Sequence, residues 1–269
     1  MIAKKRLIIM LLIAGSCQSL GKLSFVAEIS NAIPEVSAIE IHSQSQLNWV
    51  IEDSGNSNKL YGLNDEGQIL KTITITNARN IDWEDLTFDH LGNLYIGDFG
   101  NNSHNRKRFM IYKIKKDDLK KNQVSAELIQ FTLPKDLESK NFEAFFITNN
   151  SFYIFSKENK NCVVLKVPNQ PGKHIAVLKK QFILKGKYNK VTSADISQDG
   201  KTVVLLNYYK LWKITDFKDD DFFDGKIKAL TFKHHSQKEG ICFKTNNEVL
   251  ITDEQQAFEG GNIYSFNLD

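Results

Sequence analysis

The stretch EDLTFDHLGNLYI, residues 84–96, contains the unit that decides the fold. A polar residue, Glu84, stands at the head of an apolar strand, and a tight turn at Leu91-Gly92-Asn93 leads into a second apolar strand. The same order of polar head, strand, turn and strand recurs in SAIEIHSQSQLNWVI from Ser37, EAFFITNNSFYIF from Glu143, SADISQDGKTVVLL from Ser193 and EGICFKTNNEVLI from Glu239. Self-similarity at this scale is typical of repeat architectures.

Strand counting predicts an all-β protein, a five-bladed β-propeller with four antiparallel strands per blade. A third strand follows each hairpin, at residues 59–64, 109–114, 162–167, 210–215 and 262–267. A fourth strand follows in the first four units, at residues 69–75, 126–133, 179–186 and 227–233. We expect residues 23–30, LSFVAEIS, to join the last blade and close the ring. A six-bladed ring lacks residues for another unit, and a two-sheet sandwich would not explain the recurring head.

The N-terminus has the order of a secretory signal peptide. Three basic residues, an apolar run over 7–14 and two small residues precede Cys17. The run is too short to span a bilayer. We predict a signal peptide over 1–16 and lipid attachment at Cys17, with simple cleavage near Ser16 as the alternative. Residues 17–269 are then a single propeller domain, exported to the periplasm or cell surface as a monomer, with the lipid anchor as its only membrane contact.

Charge limits the kinds of binding partner to expect, and the cysteine pattern predicts the state of the thiols. The whole chain has 35 basic and 32 acidic residues, and the signal peptide holds three of the bases, so the predicted mature part is neutral. A neutral chain gives no reason to expect nucleic acid as a partner. Cys162 and Cys242 lie in apolar strands without metal-ligand spacing, which predicts two buried thiols.

The five head residues predict a metal site on the propeller axis. Inner strands run beside the central channel, so equivalent side chains converge in a ring. Carboxylates brought together repel one another unless a cation compensates, and a hard cation with six to eight oxygen ligands suits such a ring. Calcium fits fivefold geometry better than magnesium, and zinc would require His or Cys. The alternative is that the heads bond only to channel water and backbone. The predicted ligands are Ser37, Glu84, Glu143, Ser193 and Glu239.

The ends of the second strands predict a ligand site at the propeller mouth. Counting about fourteen residues from each head, with two more in the first blade, reaches a polar residue in every blade. Such a set could bind a small molecule, a protein partner or a second cation, although Asp and Asn also cap turns at strand ends. We find no serine-elbow, phosphate-loop or zinc-protease motif that would name a catalytic residue. The predicted ligand-binding residues are Asp53, Asp98, Lys157, Asn207 and Asp253.

Several segments resemble the calcium-activated nucleotidase (apyrase) family. They are VSAIEI (36–41), WEDLTFDHLGNLYIGDFG (83–100), VTSADIS (191–197) and KEGICF (238–243). The resemblance implies a five-bladed propeller with a central calcium held by the five head residues. The family's long insertion in the third blade and its acidic N-terminal stretch are missing here, and bacterial propeller lipoproteins of unassigned function share the W-E-D-L and G-D-F-G-N-N style.

Two functions are compatible with these features. One is a binding propeller, with calcium at the axis and a small ligand or partner at the mouth. The other is a calcium-dependent hydrolase of phosphate esters or lactones, in which the metal polarises an oxygen of the substrate. Propellers host many functions, so the fold does not choose between them.

Overall fold

A computed structural model describes residues 20–42, 46–257 and 259–269 of the chain. The predicted signal peptide and Cys17 lie outside these residues. The described strands, in chain order, are β1 (Ser24–Glu28), β2 (Val36–Ile41), β3 (Asn48–Glu52), β4 (Lys59–Leu63), β5 (Ile69–Ile75), β6 (Trp83–Phe88), β7 (Leu94–Asp98), β8 (Phe109–Ile114), β9 (Gln123–Val124), β10 (Glu127–Thr132), β11 (Phe142–Thr148), β12 (Ser151–Ser156), β13 (Cys162–Pro168), β14 (Gly172–Ile175), β15 (Val177–Phe182), β16 (Ala194–Ile196), β17 (Val203–Leu206), β18 (Lys210–Thr215), β19 (Lys226–Thr231), β20 (Lys238–Thr245), β21 (Glu248–Asp253) and β22 (Asn262–Asn267). Two short 3₁₀ helices are η1 (Lys116–Lys120) and η2 (Phe222–Asp224).

The strands form five sheets, which confirms the predicted five-bladed propeller. Blade 1 is β2-β3-β4-β5, blade 2 is β6-β7-β8-β10, blade 3 is β11-β12-β13-β15 and blade 4 is β16-β17-β18-β19. Blade 5 is β20-β21-β22-β1. The pairing of β1 with β22 runs from Ser24 opposite Ser265 to Glu28 opposite Asn262, so the N-terminal strand closes the ring as predicted.

Two additional strands were not predicted from the sequence. β9 lies in the connection between β8 and β10, and it pairs in parallel with β5 of blade 1. β14 lies in the connection between β13 and β15, and it pairs in parallel with β10 of blade 2. Each therefore joins a blade to its predecessor. Their brevity and polar sequences, QV and GKHI, give no alternation of apolar and polar residues that would indicate a strand.

Apolar side chains fill the spaces between adjacent blades and form five core clusters. Tyr95 of blade 2 meets Phe152 of blade 3 edge to face, with ring centroids 5.0 Å apart. Cys162 and Cys242 are buried free thiols within these clusters, as predicted. No helix in the described part of the chain has the length and apolarity needed to cross a membrane.

The inner strands carry a bulge beside the head residue in four blades. The pairing register shifts between Val36 and Ala38 in blade 1 and between Trp83 and Asp85 in blade 2. Blades 3 and 5 show the same shift around Glu143 and Glu239. A bulge changes the direction of a side chain relative to the regular pleat. We call the end of the axis where the inner strands begin the head end, and the opposite end, at the hairpin turns, the turn end.

Candidate metal centre and axial carboxylates

Three of the predicted head residues meet at the head end of the axis. Lys157 Nζ lies 2.9 Å from Glu143 Oε2 and 3.8 Å from Glu239 Oε2. Glu84 hydrogen-bonds to Glu143, so blades 2, 3 and 5 all contribute a carboxyl group to this cluster. Tyr208 donates its hydroxyl proton to Glu239 Oε1 at 2.8 Å. The bulged inner strands therefore direct glutamates from three blades into one buried space.

The two serine heads bond to protein atoms instead. The Ser37 hydroxyl donates to the backbone carbonyl of Trp83 at 3.1 Å, which joins blade 1 to blade 2. The Ser193 hydroxyl donates to Asp85 Oδ1 at 3.0 Å and accepts from the amide of Ile241 at 3.1 Å. Both hydroxyls thus link inner strands, and the structure does not join them to the glutamate cluster.

A tighter carboxylate group lies beside Glu84. One oxygen each from Asp53, Asp82 and Glu84 lies within 4.8 Å of the others. Asp53 follows the last residue of β3, and Asp82 precedes the first residue of β6. The sequence analysis missed Asp82, although its spacing of two residues from Glu84 would place both side chains on one face of a strand. That D-x-E spacing is the signal that could have found it.

Gly100 leaves the room that these carboxylates occupy. A Cβ atom at position 100 would collide with Glu84 Oε1 and with the carboxyl group of Asp82. The backbone after β7 therefore passes directly against both side chains. Carboxylate oxygens gathered in this way are the donors that a hard divalent cation prefers, so the residues present fit calcium.

Burial and mutual repulsion raise the pKa values at the head end. Burial, followed by the charges of Asp53 and Glu143, raises the pKa of Asp82 to about 6. Burial and the neighbouring Glu143 hold the pKa of Glu84 well above its usual range. Burial and the charge of Glu239 raise the pKa of Glu254, which follows β21, to about 8. These carboxyl groups have too few cationic neighbours to offset burial and mutual repulsion, and a bound cation would favour their ionised forms.

Lys157 is the basic side chain within the cluster. Burial alone would lower the pKa of this lysine, but the carboxylates of Glu239 and Glu143 outweigh that effect and raise it. A second basic side chain, Arg106, reaches the edge of the site, where its Nη2 lies 2.8 Å from Asp98 Oδ1. Both cations are therefore paired with carboxylates.

The five residues predicted for the mouth do not form one ring. Asp53 and Lys157 lie at the head end, as described above. Asp98 and Asp253 are fully buried, and each accepts a hydrogen bond from a third-strand tyrosine: Tyr112 at 3.4 Å and Tyr264 at 3.0 Å. The remaining residue, Asn207, is buried and donates to the backbone carbonyl of Lys190 at 2.6 Å.

Hairpin length explains this division. The residue before the head pairs with Glu52 in blade 1, with Asp98 in blade 2 and with Asp253 in blade 5. The blade 1 equivalent of Asp98 is thus Glu52, which accepts a hydrogen bond from Tyr61 at 3.1 Å. Counting a fixed number of residues from each head mixes two adjacent positions, which point in opposite directions on a strand.

A second group of carboxylates lies deeper in the channel and was not predicted. Asp85 accepts hydrogen bonds from the amide of Phe145 at 3.0 Å and from Ser193. Asp195 accepts from the amides of Phe243 and Ile196, both at 2.7 Å. The third member, Glu40, accepts from the amide of Ile41 at 2.8 Å. Burial raises the pKa of all three, that of Asp195 to about 7.

Comparison with known proteins bears on the fold. No protein-family model and no curated protein sequence matches the chain. Among solved structures, the gluconolactonase XC5397 from Xanthomonas campestris is similar, with a TM-score of 0.51 and 10% sequence identity. The match covers 87% of this chain and 72% of XC5397. At this identity, the likeness extends to the propeller fold, and the chemistry has to be argued from the residues at the axis.

Proposed function

We propose that the protein binds a divalent cation, calcium, at the head end of its axis and hydrolyses a lactone there. The observation that carries the proposal is the group of Asp53, Asp82 and Glu84, whose oxygens lie within 4.8 Å of one another. These three residues would hold the ion. A bound metal polarises a carbonyl oxygen of the substrate, which is the chemistry that ester and lactone hydrolysis needs.

The remaining head-end residues support this function. Lys157 and Tyr208 fix Glu143 and Glu239 beside the proposed ligands, through contacts of 2.9 Å and 2.8 Å. Gly100 has no side chain that would displace the carboxyl groups of Glu84 and Asp82. The substrate class is suggested by the similar fold of the gluconolactonase XC5397. The carboxylate partners of Lys157 and Arg106 favour a neutral lactone over a phosphate ester, because neither basic side chain is free to pair with a phosphate.

The second candidate is a binding propeller that performs no reaction. In that case calcium holds the blades together, and a small ligand or a protein partner occupies the mouth near Asp53 and Lys157. The buried hydrogen bonds of Asp98, Asp253 and Asn207 favour this candidate, because they leave fewer side chains at the mouth for a reaction.

The experiment uses the purified chain without residues 1–16. We expect calcium to raise the melting temperature and to activate hydrolysis of gluconolactone, followed as acid release in a pH-stat. Asp82→Asn or Glu84→Gln should lower calcium affinity and lactone turnover by on the order of 100-fold. The matched control is Glu127→Gln on the outer strand β10, where Glu127 pairs with Lys115 at 2.8 Å.

The outcomes separate the candidates. A melting temperature unchanged by calcium and by a chelator would refute the metal centre. Calcium binding without turnover of gluconolactone would leave the binding propeller. Turnover of a nucleoside diphosphate in place of the lactone would favour the apyrase-like reaction.

Export and lipid attachment are a separate proposal, based on residues 1–17 alone. We propose that the signal peptide is removed and that Cys17 receives the lipid. Metabolic labelling of bacterial cells with a fatty acid tests this, with Cys17→Ser as the unlabelled control. Label that persists in this variant would contradict the proposal.

A further inference from the structure

A cavity of about 540 Å³ opens at the turn end of the axis, on the opposite side of the channel from the proposed metal centre. Its size is within the range of small-molecule sites in proteins. Glu40 and Asp195 line it, and both side chains are more than nine-tenths buried. The cavity is therefore a pocket inside the ring of blades, with two buried carboxyl groups at its deep end.

Five apolar side chains surround this pocket, one from the inner strand of each blade. Each packs against a different core cluster between the blades and also lines the cavity. We call this ring the collar; it consists of Ile41, Phe88, Ile147, Ile196 and Phe243. Because the inner strands run from the head end to the turn end, Glu40 and Asp195 lie one residue deeper than the collar residues Ile41 and Ile196.

The deep end of the pocket is acidic: burial raises the pKa of Glu40 and Asp195, and a bound cation would favour their ionised forms. Glu40 Oε1 accepts from the amide of Ile41 at 2.8 Å. Both Asp195 oxygens accept backbone amide protons. A ligand that donates protons to these carboxyl groups adds charge-assisted hydrogen bonds.

The two lysines that line the pocket are paired with carboxylates outside its deep end. Lys113 lies 3.4 Å from Glu127, and Lys244 lies 3.6 Å from Glu248, so both pair with glutamates. Burial and the charge of Lys116 lower the pKa of His42, which favours the neutral imidazole. The pocket therefore favours a positively charged ligand.

We propose that this pocket binds a small primary amine with an apolar body, its ammonium group against Glu40 and Asp195 and its body within the collar. A bare metal ion suits the pocket less well. Only two carboxyl groups, those of Glu40 and Asp195, lie at its deep end, and both oxygens of Asp195 already accept an amide proton. The apolar side chains of the collar offer no oxygen ligands to a metal ion. An ammonium group has three donors and fits two carboxylates in a partly apolar site.

Isothermal titration calorimetry with n-pentylamine tests the proposal. The uncharged and anionic analogues 1-pentanol and pentanoate are the matched ligands. We expect the amine to bind roughly tenfold or more tightly than the alcohol, and pentanoate not to bind. Glu40→Gln should reduce amine affinity by roughly tenfold and leave the binding of pentanol unchanged. Phe243→Ser should weaken both ligands.

Further variants keep the test decisive. If the melting curve shows that Glu40→Gln does not fold, Asp195→Asn replaces it, because this variant removes the other carboxyl group of the pocket. Glu84→Gln, at the metal centre, should leave amine binding intact, so failure of one site is distinguishable from failure of the other. Equal binding of amine and alcohol, or no binding of the amine at about 10 mM, would overturn the proposal.

Discussion

Gly100 is the residue on which the geometry of the candidate metal centre depends most directly. Its backbone lies against Glu84 and Asp82, and no larger residue fits there without moving a carboxyl group. Gly100 is the second glycine of the sequence motif G-D-F-G-N-N, residues 97–102. The structure adds a reason that the motif alone could not provide, namely the close approach of two acidic side chains from the start of the same blade, Asp82 before β6 and Glu84 within it.

We predict that Gly100→Ala lowers calcium affinity more than it lowers stability. The added methyl group displaces Glu84 and Asp82, so the three proposed ligand oxygens no longer converge. We expect at least a tenfold loss of calcium affinity in calorimetric titrations. Gly200→Ala is the control, because Gly200 has open space around its Cβ position and a φ of +69°, so alanine there strains the backbone without touching the site. Equal calcium affinity in both variants would contradict the prediction.

The head-end residues show how far sequence reasoning reaches at this scale. Glu84, Glu143 and Glu239 were predicted from the repeat, because each occupies the same position in its unit. Asp82 and Glu254 lie in connections outside the repeated pattern, and only the folded chain brings them to the axis. Asp82 had a signal in its spacing to Glu84, whereas Glu254 had none.

At the level of strands, pairing register decides which side chains reach the axis. The repeat predicted every four-stranded blade, since turns and apolar runs recur in the sequence. It did not predict which residue of β3 is equivalent to Asp98 of β7, because the hairpins differ in length and a change of one residue reverses the side-chain direction. Glu52 and Asp53 are adjacent, yet Glu52 accepts a hydrogen bond from Tyr61, whereas Asp53 joins the carboxylate group of Asp82 and Glu84.

The connection between β18 and η2 joins blade 4 to blade 3 through Asp220. Lys166 and Lys179 donate hydrogen bonds to its two oxygens at 2.7 Å and 2.8 Å. Tyr153 donates a third at 2.7 Å. Burial alone would raise the pKa of Asp220, but these three donors outweigh it and hold the pKa below the usual value of 3.8.

We predict that this junction stabilises the protein at neutral pH and fails in acid. The unfolded chain binds the Asp220 proton more readily than the folded protein does, so the contribution is present above pH 3.8 and is lost as the pH falls through the lower folded-state pKa. Asp220→Asn should lower the free energy of unfolding at pH 7 by about 1 kcal/mol, and by less in high salt. Urea denaturation between pH 3 and pH 7 measures the difference.

Asp216→Asn is the matched control for the junction. Asp216 pairs with Lys226 at 2.9 Å, but both side chains are mostly exposed, so solvent screens the pair. We expect this variant to differ little from the unaltered protein at any pH. An Asp220 variant with the same pH dependence as the unaltered protein would show that the junction is not coupled to protonation.

The whole molecule is a ring, and its closure depends on β1. The fifth blade combines β1, from the N-terminal end of the described chain, with β20, β21 and β22 from its C-terminal end, and Ser24 lies opposite Ser265. Without β1, the strand β22 would present an unpaired edge. The strand count predicted this closure, because residues 23–30 were the one strand without a place in the first four units.

We predict that a disulfide across the closure stabilises the ring. Paired residues of antiparallel strands are within the Cα distance that a disulfide requires. Ser24→Cys with Ser265→Cys closes a long loop and should add roughly 2–4 kcal/mol to the free energy of unfolding, reversed by reductant. Met110→Cys with Gln130→Cys, paired within blade 2, closes a short loop and should add less. An oxidised closure variant that melts at the same temperature as its reduced form would contradict the prediction.

The closure by β1 also sets an order for biosynthesis. β1 leaves the ribosome before any other described strand, and its partner β22 leaves last. Leu23 and Ala27, which are buried in two different core clusters of the finished ring, lack the blade 5 members of those clusters until β20, β21 and β22 have been made. The ring can therefore close only once β22 is available, and until then β1 lacks its hydrogen-bonding partner strand.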